Sequence, residues 1–146
     1  MNIDVSVIVP VFNVESYLED CLISLENQTY KNFEVVVIDD GSKDNSGVIA
    51  KKIRSRNSNF KYIYQENKGL GGARNTGLKN ANGKYVTFLD SDDKFPNNAI
   101  EIFFKYAEKN EADLVFGRPV WENKGVIRKT YLDSLFHSKH FLKSEE

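Results

Sequence analysis

The chain of 146 residues has one cysteine, Cys21, three prolines and two histidines. A single thiol excludes an intrachain disulfide and a cysteine-rich metal site, and it fits a reducing compartment. Charge of one sign is also missing. Lys and Arg number 20 against 21 Asp and Glu, a net charge of −1, which argues against general nucleic-acid binding because no long-range field draws in polyanions. No apolar run approaches the ~20 residues that cross a bilayer. The stretch from Val5 to Phe12 follows Asp4 and contains Pro10. Neither a signal peptide nor a membrane span is recognisable, so a cytoplasmic protein is expected, with contact at the inner face of the membrane open through one surface.

What is present is enough for a core. With 40% hydrophobic residues, a chain of this length buries roughly 70% of its unfolded surface, and a single globular domain is expected. Short β-branched runs alternate with segments of helical period. Val5 to Val9 predicts a strand; Tyr17, Leu18, Cys21, Leu22 and Leu25 predict a helix with Cys21 on its apolar stripe. Glu34 to Asp39 predicts a second strand, and Val48 to Arg56 a helix with a basic outer face. Lys61 to Gln65, then Gly71 to Ala81, then Lys84 to Asp90 predict strand, helix and strand. Pro96 suits the first turn of another helix, and Asp113 to Gly117 predicts a fifth strand. This alternation specifies an α/β protein with a Rossmann-like, mostly parallel twisted sheet and helices on both faces. Beyond Arg118 the pattern weakens, to a hairpin within Trp121–Thr130 turning at Asn123-Lys124-Gly125 and a helix over Tyr131–Leu142.

In such sheets ligands bind outside the carboxyl ends of the strands. Four strand ends carry unusual polar groups: Pro10-Val11-Phe12-Asn13, Asp39-Asp40-Gly41-Ser42, Glu66-Asn67 and Asp90-Ser91-Asp92-Asp93. The last brings three carboxylates together, which repel unless a cation or hydrogen bonds hold them ionised. Oxygen ligands of this kind suit Mg²⁺ or Mn²⁺. The alternative is a solvated turn with Asp92 or Asp93 capping the next helix. A carboxylate only accepts hydrogen bonds, so Asp40 can pair with uracil N3–H and not with cytosine N3. Equally, Asp-Gly here is a plain turn, with Asp44 or Ser46 capping the following helix.

Gly69 to Gly77 fails the dinucleotide fingerprint, because Arg74 stands where glycine is needed, and fails the P-loop, because Leu78 stands where lysine is needed. What remains is a glycine-rich loop opening a helix and bearing a cation, Arg74, either for a diphosphate or for the acidic motifs. His137 and His140 read as surface or packing residues.

Taken in order, Val7-Ile8-Val9-Pro10-Val11-Phe12-Asn13, Asp39-Asp40-Gly41-Ser42, Asn67-Lys68-Gly69 with Ala73-Arg74-Asn75-Thr76-Gly77, and Phe88-Leu89-Asp90-Ser91-Asp92-Asp93 resemble the donor-binding part of a family 2 glycosyltransferase of GT-A fold. The resemblance covers about residues 3 to 117. It implies that Pro10, Val11 and Asn13 line a nucleotide-sugar site, with Pro10 and Val11 holding the nucleoside through backbone contacts. It implies further that Asp40 binds uracil, that Asn67 and Arg74 face the base, ribose or diphosphate, and that Asp90 and Ser91 lie near the ribose or sugar. Asp92 resembles the metal-binding aspartate, with Asp93 a near alternative, for Mn²⁺ or Mg²⁺. The reaction implied is an inverting displacement of UDP from a UDP-sugar by a hydroxyl of a carbohydrate or polyol-phosphate acceptor, in the assembly of a cell-surface polymer such as teichoic acid.

The family's catalytic base lies in an acidic motif on the acceptor side, and none of Glu122, Asp133, Glu145 or Glu146 has such a context; the base is expected beyond Glu146. Residues 1–117 are thus expected to form the nucleotide-sugar-binding core and 118–146 the start of an acceptor-side region, with the carboxy-terminal half of the enzyme missing. Two other classes remain: a non-catalytic nucleotide-binding or assembly module, and a nucleotidyltransferase. Against the latter stands the lack of a glycine-rich basic loop directly after the first strand.

Overall fold

The computed structural model describes residues 2–115 and the backbone of two further strands, within 120–129. The chain divides into two compact units, residues 1–101 and 102–146. In the first, strands β1 (Val5–Val11), β2 (Phe33–Asp39), β3 (Phe60–Tyr64) and β4 (Tyr85–Phe88) form one parallel sheet in the order β3-β2-β1-β4. Helices α1 (Glu15–Glu26), α2 (Ser46–Arg56) and α3 (Gly69–Asn80) connect them, and α4 (Ala99–Asn110) follows. Both seven-residue strands, β1 and β2, are buried along their whole length. Side chains alternate between faces, so both faces must be covered. Ile8, Val36, Ile38 and Ala73 of α3 form one buried cluster, which Ile63 extends; α2 packs beside β2 and β3. Helix α3 lies so near β1 that a Cβ on Gly77 would come within 2.3 Å of Ile8 Cγ2.

Hydrogen bonds that the hydrophobic pattern does not announce fix the loops. At the amino end of the sheet the buried Glu34 carboxylate accepts from Ser6 Oγ (2.7 Å) and Asn82 N (2.6 Å) and pairs with Lys61 Nζ (2.6 Å). Burial would raise this carboxyl's pKa; the bonds from Lys61, Ser6 and Asn82 outweigh burial and hold it below the ordinary range. At the carboxyl end, α1 and α2 cap each other. Asp44 Oδ2 accepts Glu15 N (2.9 Å), the first residue of α1, while Glu15 Oε2 accepts Asn45 N (2.8 Å), just before α2. Asp44 Oδ1 also accepts Ser46 N (3.0 Å), a cap on its own helix as the sequence allows; Ser46 Oγ is spent on Val14 N (3.0 Å) instead. The basic face of α2 is largely tied down, with Lys52 on Glu19 and Arg56 on Glu26. Cys21 is buried, as its place on the apolar stripe predicts.

The structure departs from the sequence reading at several points. Strand β1 runs on through Pro10, which pairs with Ile38, to Val11. Pro10 lacks only its own N–H, and a parallel ladder bonds alternate residues of a strand to each neighbour, so the pairing survives. Pro96 is not in the first turn of α4. It precedes the helix, and its carbonyl accepts from Ala99 N (2.9 Å) and from the buried Gln28 Nε2 (2.7 Å). Gln28 Oε1 takes up the free Ile100 N–H (3.1 Å), so α4 is capped by α1's trailing residue rather than by Asp92 or Asp93.

The fifth strand is absent from the described part of its range, 113–115, where Leu114 is exposed and Glu111 just upstream is left-handed at φ 48°. A run this short has no neighbour among the described strands to fix it as a ladder; residues 116 and 117 lie outside the described residues. In the second unit β5 (Val120–Asn123) and β6 (Val126–Lys129) pair antiparallel, Val120 opposite Lys129, as the predicted hairpin requires. Of its predicted turn, Asn123 ends β5 opposite Val126, while Lys124 and Gly125, and the helix predicted over Tyr131–Leu142 with His137 and His140, lie outside the described residues. Among the described residues no helix is long and apolar enough to cross a membrane.

Candidate functional site

Parallel strands place every predicted site residue at one edge of the sheet. Pro10 and Val11 end β1, Asp40 follows β2, Asn67 follows β3, Arg74 lies in the second turn of α3, and Asp90 to Asp93 follow β4. Pro10, Val11, Asp40 and Ser91 are buried, Arg74 is half-buried, and Asn13, Asn67, Asp90, Asp92 and Asp93 are exposed. The sheet frame reaches past the strands at this edge: Asp40 N donates to Val11 O (2.8 Å) and Gln65 N to Asp39 O (2.9 Å).

The two aspartates after β2 divide their work. Asp39 is structural: Oδ1 accepts Ser42 N (2.9 Å) and Oδ2 accepts Tyr62 Oη (2.7 Å). Asp40, 2% exposed, accepts Gln65 Nε2 (2.5 Å) and Lys68 N (2.9 Å), both at Oδ1. Among the described residues Oδ2 receives no hydrogen bond. Gly41, at φ 81°, makes the turn that follows, and a Cβ there would sit 3.1 Å from Asn67 N, so the loops after β2 and β3 touch. Asn67 Oδ1 accepts Gly69 N (3.1 Å), which spends one of its acceptors locally. Asn13, left-handed at φ 53°, receives Lys43 N on Oδ1 (2.8 Å) and donates its own N–H to Ser42 Oγ (3.1 Å). Its side chain therefore braces two loops.

Arg74 and Asp90 are brought together, Nη2 to Oδ1 at 2.8 Å, with the guanidinium 5.6 Å from the centre of the Phe88 ring. Both partners are partly exposed, so the pair contributes little to stability. Arg74 Nε is buried and has no acceptor among the described residues. The acidic loop itself is held onto α1: Cys21 Sγ donates to Asp90 O (3.8 Å), and Phe95 N donates to Ser24 Oγ (3.1 Å). Burial first, then Asp92 and Asp90, push the Asp93 carboxyl up. Burial, followed by Asp93, Asp92 and Asp90, pushes the Cys21 thiol up to about 12. Behind burial, the negative field of the loop's neighbouring carboxylates acts in the same direction on both groups, and Arg74 offsets only Asp90.

That field suits a cation, and the donors are all hard oxygens. Among the described residues no three His, Cys, Asp or Glu side chains converge as a closed metal cage requires. The arrangement fits an ion held by one or two carboxylates with the rest of its ligands coming from a bound phosphate and water. Among the described residues no side-chain hydrogen bond or ion pair engages Asp92 or Asp93, whereas Asp90 is paired with Arg74 through Oδ1.

Sequence reasoning gave Gln65 no role and named Ser42 and Lys68 only as members of motifs, without the bonds they make. Gln65 left one signal: a polar residue directly after an apolar strand, which the structure buries.

Comparison with known proteins agrees with this geometry. The family model described as "Glycosyl transferase family 2" matches residues 6–145. "Glycosyltransferase GlyA" of Streptococcus pneumoniae serotype 4 is 50% identical over 113 residues, which cover 77% of this chain and 16% of that protein. The crystal structure of S. aureus TarS 1-349 in complex with UDP-GlcNAc superposes with a TM-score of 0.71 at 37% identity, over 75% of this chain and 32% of that one. Mannosyltransferase PcManGT from Pyrobaculum calidifontis, in complex with GDP-Man and Mn²⁺, superposes with a TM-score of 0.61 at 29% identity, over 66% of this chain and 29% of that one. The chain spans less than half the length of the curated relatives it matches, 16% of one and 42% of another.

Proposed function

The chain belongs to glycosyl transferase family 2, and on that basis we propose that it binds a UDP-sugar with a divalent cation at the carboxyl edge of its sheet, for inverting transfer of the sugar to an acceptor hydroxyl. The fold is the GT-A type, and the four strand-end motifs lie on one edge of it. The observation that carries the reading is Asp40: a buried carboxylate with one oxygen saturated and the other without a donor. Oδ2 keeps contact with solvent, so its lone pairs are open to a donor on a ligand, and uracil N3–H is such a donor.

In this reading the backbone of Pro10 and Val11 lines the nucleoside and Asp40 reads the base. Asn67 uses its remaining polar atoms on the base or ribose, and Asn13 holds the loop beside them. Arg74 turns from Asp90 toward the diphosphate, which would also give the orphaned Nε an acceptor. Asp90 and Ser91 then face the ribose or sugar. Asp92 and Asp93 would hold Mn²⁺ or Mg²⁺, which supplies charge to offset the departing diphosphate. Deprotonation of the acceptor, a carbohydrate or polyol phosphate, is assigned to no residue of this chain. Residues 118–146 are read as the start of the acceptor side, within a longer enzyme working in the cytoplasm at the inner face of the membrane.

Calorimetric titration with UDP, CDP and GDP, each with and without Mn²⁺, tests the reading on the wild type, Asp40→Ala and Asp92→Ala. UDP is expected to bind best and more tightly with metal; Asp40→Ala should abolish the base preference and Asp92→Ala the metal effect. Equal binding of UDP and CDP by the wild type, or UDP binding indifferent to metal, would remove it.

A further inference from the structure

We propose that Gln65 sets the nucleobase specificity of this site by blocking one oxygen of Asp40, so that the carboxylate offers a single acceptor and selects uracil over guanine. The inference rests on the UDP-sugar reading and concerns how its selectivity arises.

An ionised carboxylate has about four acceptor positions, two on each oxygen. Asp40 Oδ1 accepts from Gln65 Nε2 at 2.5 Å and from Lys68 N at 2.9 Å, so both of its positions are filled. Only Oδ2 remains. Uracil presents one donor, N3–H, flanked by two carbonyl acceptors, and needs one carboxylate oxygen. Guanine presents two adjacent donors, N1–H and N2–H, and pairs best with both oxygens of a carboxylate at once. Cytosine has no N3 hydrogen and is disfavoured whichever oxygens are free. Selection against cytosine therefore belongs to Asp40 alone, whereas selection against guanine needs Oδ1 to be occupied.

Gln65 is placed for this by the sheet. Its backbone N–H bonds Asp39 O at 2.9 Å, extending the β2–β3 pairing one residue past Tyr64, so its Cα belongs to the rigid frame. The amide orientation is fixed by chemistry, because an ionised carboxylate only accepts hydrogen bonds, so the amide nitrogen must face Asp40. The consequence is that Gln65 Oε1 is buried with no hydrogen-bond partner among the described residues. Methionine would fill nearly the same volume without that orphan. An amide that buries an unpaired acceptor while satisfying a neighbour's carboxylate acts on the neighbour; Gln65 is a positioning residue, working through Asp40.

The test is titration of wild type, Gln65→Ala, Asp40→Ala and the double variant with UDP, GDP and CDP in Mn²⁺, with circular dichroism to monitor the fold. The wild type is expected to prefer UDP over both others. Gln65→Ala, which removes both the bond and the side chain covering Oδ1, should lower the UDP-to-GDP preference about tenfold, the scale of one hydrogen bond to a charged group, while UDP remains preferred over CDP. In the Asp40→Ala background Gln65→Ala should change neither ratio. A merely structural role would depress all three affinities together and persist in that background. If the wild type prefers UDP over CDP but folded Gln65→Ala keeps the wild-type UDP-to-GDP ratio, the inference is overturned and the UDP-sugar reading stands. If the wild type does not distinguish UDP from CDP, the reading falls and the inference with it.

Discussion

Replacing Glu34 by glutamine keeps the shape of the buried side chain and removes its charge at the amino end of the sheet. Ser6 Oγ and Asn82 N now donate to a neutral oxygen, and each charge-assisted bond exceeds a neutral one by about 1 kcal/mol. At the other oxygen an NH₂ group meets Lys61 Nζ, donor against donor. Lys61 is 42% exposed and turns to water, so its lost pair counts for only about 0.5–1 kcal/mol. The sum is roughly 2–3 kcal/mol out of the ~5–15 typical of a folded domain. At a chain length near 150 residues it should lower Tm by about 6–10 °C at pH 7.

The pH dependence carries a sign. Because the folded carboxyl lies below its ordinary value, its contribution is complete above about pH 4.5 and is lost as pH falls through the folded value, so wild type and variant should converge in acid. Thermal unfolding followed by far-ultraviolet circular dichroism from pH 7 downward measures both effects. UDP titration at pH 7 should show unchanged affinity, since Glu34 lies at the opposite end of β2 from Asp40. Equal melting temperatures at pH 7, or a gap that persists unchanged in acid, would refute the reasoning.

Gly77→Ala should destabilise the fold despite alanine's better helix propensity. The new methyl meets Ile8 Cγ2 at 2.3 Å against a fully buried side chain with nowhere to move, and overpacking of about 1–3 kcal/mol exceeds a propensity gain of about 1; urea unfolding measures the difference. Cys21, buried and with its thiol pushed up to about 12, should react with a thiol-specific reagent at pH 8 only as fast as the protein unfolds. Rapid labelling of the native chain, monitored by absorbance, would contradict its placement.

The central strands were legible because β1 and β2 carry unbroken apolar runs, Val7–Val9 and Val35–Ile38, a pattern that suits a strand covered on both sides. The strand-end carboxylates were legible as residue types at a known edge. Their division of labour was not: nothing in Asp39-Asp40 says which aspartate binds Ser42 and Tyr62 and which meets Gln65, because that depends on backbone direction at a single residue. The cap supplied to α4 by Gln28 was hidden for a similar reason, being a contact between residues 28 and 100 that no local pattern encodes. Asp113 to Val115 misled because so short an apolar run after a helix has no intrinsic period with which to tell strand from loop.

The exchange of caps between α1 and α2, with Asn13 bonded to Ser42 and Lys43, means that the segments after β1 and β2 can shift only as one body. If the proposed site is correct, a nucleotide would meet half of its berth already assembled, and little ordering entropy would remain to be spent there on association. The adaptation needed to close around the guest is left to the segments after β3 and β4, where Asn67, Arg74 and Asp90 keep their polar tips within reach of solvent.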